Sequence, residues 1–206
     1  VSNPHGSASW EVLTFDGDRG LGPALMGYPL GPSDAAACPN LIEANTALTQ
    51  LKIAYSVRII GEPGSGKSIC SYQTASDLAA CGFEIVRLLD PQADNIALEP
   101  VLPGRHRLYL IDDAHLLSPH VLSRLEDKAG PSRLLLSTHN AVERTNHPGV
   151  ITLDARRAVK TIAAALRANL PKTLEAVRVA DDRVGKRMMD SDLTERLNHA
   201  EEMSDR

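Results

Sequence analysis

Gly61-Glu62-Pro63-Gly64-Ser65-Gly66-Lys67-Ser68 decides how this chain is read. The stretch follows directly on a β-rich apolar run, residues 55–60, and opens a helical pattern in which Ile69, Tyr72, Ala75 and Leu78 recur every third residue. Gly82 stands where that helix should stop. Strand, glycine-rich turn and helix in that order are the context that a phosphate-cradling G-x-x-x-x-G-K-[ST] loop requires, and all the fixed positions of that pattern are filled. Glycines at 61, 64 and 66 free the backbone to bring N–H groups close around an anion. The positive end of the following helix points at the same place. Pro63 stiffens the loop and lowers the entropy lost on ordering it. The expected binding set is Gly61, Glu62, Pro63, Gly64, Ser65, Gly66, Lys67, Ser68 and Ile69. Lys67 is expected to reach the β- and γ-phosphates of a nucleotide, and the Ser68 hydroxyl to bind Mg²⁺.

Working outward, residues 108–111 are apolar throughout and end in Asp112-Asp113. A strand buried on both faces would carry the first acid out at its C-terminal end beside the phosphate loop. Asp112 is therefore expected to hold the Mg²⁺ through water. Asp113 is similar in position to the Glu with which many P-loop ATPases orient the attacking water, which would imply that role here, but it is a methylene shorter and should sit back from the reacting phosphate. Capping the next turn is its plainer use. Residues 83–89 read as a strand between these two motifs. Residues 134–136 begin a fourth strand, which ends in Ser137-Thr138-His139-Asn140, and residues 150–153 a fifth. Asn40 is the expected N-cap of a helix through Leu51, and Ser118-Pro119 of one through Glu126.

The expected architecture is α/β: a five-stranded, mostly parallel sheet flanked by helices, with a C-terminal helical subdomain. Residues 1–39, rich in Gly and Pro apart from a strand-like run at 10–15, read as an irregular arm or as a segment folded over the nucleotide base. Residues 40–154 are the nucleotide-binding domain and 155–206 a helical lid-like subdomain. Of 206 residues, 43% are hydrophobic and only 3% aromatic, so the core must be built from Leu, Ile, Val and Ala. The net charge of −4 gives no general attraction for nucleic acid or acidic membranes. Arg156, Arg157, Lys160 and Arg167 make one helix basic, read as a solvated face or as a site for nucleic acid or an acidic partner. Three cysteines without C-x-x-C spacing point to a reducing cytoplasm rather than to disulfides or a metal ribbon. The chain opens on Val1 and not Met, which marks a processed product, a fragment or an alternative start codon.

Across residues 55–153 the chain resembles the additional-strand P-loop ATPases of the STAND and AAA+ families. Asp112-Asp113-Ala114-His115 looks most like STAND signalling ATPases, and it is similar to the Asp-Glu-Ala-His run of AAA+ helper ATPases. The resemblance implies a Walker B role for the 108–113 strand and a sensor position for Thr138. It makes Lys67, Asp113 and Thr138 the catalytic set and Ser68 and Asp112 the metal set. STAND proteins usually carry Arg where this chain has His139; a protonated His139 would replace part of that contact. Arg144 falls where AAA+ assemblies place an arginine finger, and Gly185-Lys186-Arg187 is similar to a lid sensor.

The expected function is a slow Mg²⁺-dependent ATPase acting as a conformational switch. The alternatives are an oligomeric AAA+ ATPase coupled to DNA or protein remodelling, a small-molecule phosphotransferase, and a binding module with a dead site. No Asn/Thr-Lys-x-Asp guanine signature is present, so ATP is favoured over GTP. Expected partners are the nucleotide, other copies of the chain, and a protein partner or flanking domains.

Overall fold

A computed structural model describes residues 10–16, 31–93, 96, 106–140, 149–168 and 175. Its centre is a mixed sheet of six strands: β1 (Trp10–Val12), β2 (Ser56–Gly61), β3 (Glu84–Leu88), β4 (Arg107–Ile111), β5 (Arg133–Asn140) and β6 (Val150–Thr152). They lie in the order β1-β3-β4-β5-β2-β6, parallel throughout except for the β1–β3 pair. Four helices accompany them: α1 (Ile42–Ala54), α2 (Lys67–Ala80), α3 (Pro119–Glu126) and α4 (Ala155–Ala168).

The period of two along each strand divides the core. Val57, Ile59, Leu108, Leu110, Leu134 and Leu136 pack on one side with Leu51 of α1 and Ile69, Tyr72, Ala75 and Leu78 of α2. Val86, Leu88, Tyr109, Ile111 and Leu135 pack on the other with Leu117 and with Leu125 of α3. All five positions of β4 are buried, as a parallel strand covered on both faces requires. Full burial of a Leu or Ile contributes about 1.5–3 kcal/mol, so this strand anchors the sheet.

Two expectations change, the number of strands and the start of α1. The sheet has six strands, not five, because part of the supposed irregular arm pairs antiparallel with β3 through Trp10–Leu88, Glu11–Arg87 and Val12–Val86. Trp10 closes that edge by meeting the Tyr109 ring edge-on at 5.2 Å. In space the strand between the phosphate strand β2 and the acidic strand β4 is β5, although β3 lies between them in sequence. Finally, the N-cap position of α1 is Leu41 and not Asn40, with no side-chain cap. The Leu41 N–H donates instead to Gln73 Oε1 of α2 at 3.0 Å. The Ser118 cap forms as expected, its hydroxyl accepting from the Val121 N–H at 3.4 Å.

Gln73 fixes the entry to α1. Its side-chain amide donates to the Pro39 carbonyl at 3.0 Å and approaches those of Ala35 and Cys38 at 3.4 Å. That segment carries a short 3-10 turn, Pro32–Ala37, with Asp34, Ala35 and Cys38 buried. Replacing Gln73 with Leu would leave buried backbone groups without partners. We expect Gln73→Leu to lower the unfolding free energy by about 1–3 kcal/mol, read from denaturant titration, with little loss of helix by circular dichroism.

Candidate functional site

Gly61 ends β2 because a side chain there has no room: a Cβ would lie 2.5 Å from Ser65 Oγ and 3.3 Å from Leu153 Cβ. The loop then turns on Gly64 (φ 79°) and Gly66 (φ 88°), left-handed angles that only glycine adopts freely. A Ser65 N–H to Glu62 carbonyl bond of 3.1 Å braces the turn. Beyond it, the backbone N–H groups of Gly64, Gly66, Lys67, Ser68 and Ile69 have no acceptor among the described residues; Cys70 is the first to bond back, to the Gly66 carbonyl at 2.9 Å. Ser65 Oγ is buried and likewise unpartnered. A run of open donors with a buried hydroxyl at a helix start is the arrangement that can cradle an anion. Glu62 and Pro63 form its exposed rim, and the Ile69 side chain is packed in the core.

Lys67 is 6% exposed, and its ammonium donates to the Glu62 carbonyl at 2.7 Å. Burial pushes its proton affinity below the ordinary lysine value, against the opposing pull of Asp113 and Asp112. Desolvation of this cation strengthens its attraction for an anion placed beside it.

The sheet order brings the acid to this loop. Ser68 Oγ donates to Asp112 Oδ2 at 2.8 Å, and Thr138 Oγ1 donates to Asp112 Oδ1 at 2.5 Å. Thr138 Oγ1 also accepts from the Asp113 N–H at 2.9 Å. One carboxylate thus joins α2, the end of β4 and β5. The hard oxygens suit Mg²⁺, which takes one or two protein ligands and keeps water or phosphate for the rest. Ser68 Oγ and Asp112 Oδ2 stand 2.8 Å apart, close enough for both to face one small cation directly or through its bound water. No group of three or more His, Cys, Asp or Glu is placed to hold a metal among the described residues. The Ser68–Asp112 pair sets two hard oxygens side by side at the phosphate loop.

Asp113 takes a left-handed backbone (φ 52°, ψ 41°), one of two non-glycine residues with positive φ among those described. Its side chain makes no cap bond to the 3-10 turn Ala114–Leu116, so capping does not explain it. The side chain is 54% exposed and 3.9 Å from His115 Nδ1. His115 Nε2 in turn lies 3.0 Å from Asn140 Nδ2. Sequence reading gave Asn140 no role. The signal was the end of the polar strand falling level with the phosphate loop, and it becomes visible only once β5 pairs with β2, Asn140 opposite Gly61.

His139 is corrected. It shares a face with Ser137 and meets Ser137 Oγ through Nε2 at 2.9 Å, whereas Thr138 points to the acid. Burial, then Arg58, then His115 push its pKa from 6.5 to about 4, so it is neutral near pH 7 and supplies no cation. The basic helix is corrected in part, since Arg157 pairs with Glu43 of α1. Arg144, Gly185, Lys186 and Arg187 lie outside the described residues.

No protein-family model matches the chain, and neither does any curated protein. Among solved structures it is similar to PCH-2 of C. elegans, at 15% identity and a TM-score of 0.36, over 68% of this chain and 46% of that one. It is also similar to the RuvB Holliday junction branch migration motor of Thermotoga maritima, at 20% identity and 0.39, over 78% and 67%. The chain thus spans under half the length of PCH-2. At such scores neither likeness decides anything about this chain, and the site rests on its own geometry.

His139 also sets a pH response. Between about pH 6.5 and 4 the unfolded chain takes up a proton there that the folded chain refuses. Stability contributed by neutral His139 is therefore complete above pH 6.5 and is lost as the pH falls through that window. His139→Gln should flatten this part of the stability profile, measured by denaturant unfolding at pH 7 and pH 5.

Proposed function

We propose that the chain binds ATP with Mg²⁺ on residues 61–69 and hydrolyses it slowly, as a nucleotide-dependent conformational switch of STAND or AAA+ type. The observation that carries this reading is the meeting of Ser68, Asp112 and Thr138 at one carboxylate beside a loop of open N–H donors. Those donors and Lys67 hold the triphosphate, and Ser68 with Asp112 holds the ion. Bound Mg²⁺ supplies charge neutralisation across the phosphates. Asp113 orients the attacking water by accepting a hydrogen bond from it.

The short Asp113 side chain supports slow turnover, and a neutral His139 removes one source of charge stabilisation at the reacting phosphate. Slow turnover suits a switch whose lifetime is set by hydrolysis. The switch reading also takes in α4, whose Ala158 side chain lies 3.9 Å from a Cβ built on Gly66, so a nucleotide on the loop would be felt by the helix that leads toward the C-terminal region. Self-association and protein partners belong to the same proposal. Turnover rising with protein concentration would favour the oligomeric AAA+ form of it.

Lys67→Ala is expected to weaken binding of a fluorescent ATP analogue with Mg²⁺ by about 10-fold or more, since it removes a charge-assisted contact of about 1.5–3 kcal/mol. Asp113→Glu is expected to raise single-turnover hydrolysis, and Asp113→Asn to abolish it with binding retained. Absence of Mg²⁺-nucleotide binding by the wild-type chain, with no effect of Lys67→Ala, ends this reading.

A further inference from the structure

Asp113 is held by its backbone but not by its side chain. The N–H is fixed on Thr138, the φ of 52° turns the residue away from the strand path, and the carboxylate stands half exposed. A short carboxylate that must orient water needs a second group to hold its direction. The partner in reach is His115, two residues on, with Nδ1 3.9 Å from Asp113 Oδ1.

The far side of the ring determines what Nδ1 offers. Asn140 Nδ2 is a donor and lies 3.0 Å from His115 Nε2, which therefore accepts. The proton of the neutral imidazole is then on Nδ1, 3.9 Å from the carboxylate and beyond hydrogen-bond length, so the bond forms when the half-exposed Asp113 side chain swings toward the ring. Asn140 closes β5 opposite Gly61, where β2 enters the phosphate loop. The series Asn140–His115–Asp113 runs from the end of β5, beside the loop strand β2, to the water-orienting acid, and it is separate from the Ser68–Asp112–Thr138 cluster that holds the ion.

We infer that His115, its tautomer fixed by Asn140, is a positioning residue for Asp113: it aims the short carboxylate at the attacking water and compensates for the missing methylene. This rests on the ATPase reading above. The role lies in the chemical step and not in nucleotide binding, because His115 bonds neither the loop donors nor Lys67 or Asp112 among the described residues.

The test measures Mg²⁺-ATP affinity and single-turnover hydrolysis separately in the full chain. His115→Ala should lower the hydrolysis rate by about 10–100-fold with an unchanged Kd, the range expected for loss of orientation. His115→Asn places an amide donor where Nδ1 stood and should recover most of the rate. His115→Gln places its amide near Nε2 and should fall with Ala. Asn140→Ala should lower the rate in the wild-type background and add little in His115→Ala, since the two act as one unit. Wild-type rates in His115→Ala and His115→Gln overturn the inference. So do equal losses of affinity and rate in all three His115 variants with a lowered thermal midpoint, which is the signature of a structural role. Mg²⁺-ATP bound but never hydrolysed by the wild type overturns it and leaves the binding reading standing, whereas no binding at all removes that reading first.

Discussion

The carboxylate of Asp112 accepts two hydroxyl hydrogen bonds, one on each oxygen, Ser68 from the start of α2 and Thr138 from β5. Everything else in the site depends on that junction. It fixes how far the phosphate loop stands from the end of β4, and through the second bond of Thr138 it fixes the backbone of Asp113. The bonds lie at the end of a strand with no exposed residue, so the acid cannot drift without unpacking Leu108, Leu110 and Ile111. Apolar packing sets the position and charge-assisted hydrogen bonds set the orientation.

The strand order explains why Thr138 reaches Asp112 at all. With β5 between β2 and β4, the polar end of β5 lies level with the phosphate loop on one side and with the acidic end on the other. Were β4 next to β2, the hydroxyl that holds the acid would have to come from elsewhere. The β1–β3 edge contributes differently. Arg87 of β3 bonds Tyr72 of α2 at 2.9 Å and pairs with Glu11 of β1, so the added strand is tied to the helix that carries the loop.

Much of this was legible in the sequence because the signals were local. The loop announced itself through three glycines, Lys67 and Ser68, and the acidic strand through an apolar run ending in two Asp. Helix α2 followed from the period of Ile69, Tyr72, Ala75 and Leu78, and the Ser118 cap from Ser-Pro. What was not legible was long-range. The strand-like run at 10–15 showed in the sequence but its partner did not: β1 joins the sheet because β3 offers an edge. Gln73 overrode Asn40 as the organiser of the α1 entry from 32 residues away. The charge state of His139 depended on burial and on Arg58 from another strand, neither of which a sequence displays. The pairing of His115 with Asn140 belongs to the same class.

The bond from Lys67 to the Glu62 carbonyl has a consequence of its own. The ammonium uses one of its three N–H groups on the loop's own backbone, which leaves two for an anion. The carbonyl holds the cation over the loop before any ligand arrives, so less side-chain freedom would be lost on binding. A lone phosphate would meet only that cation and a few N–H groups. A polyphosphate would reach more of the row of N–H groups from Gly64 to Ile69, each a further contact. Preference for long phosphate chains would then come from the length of that donor row, before any base is recognised.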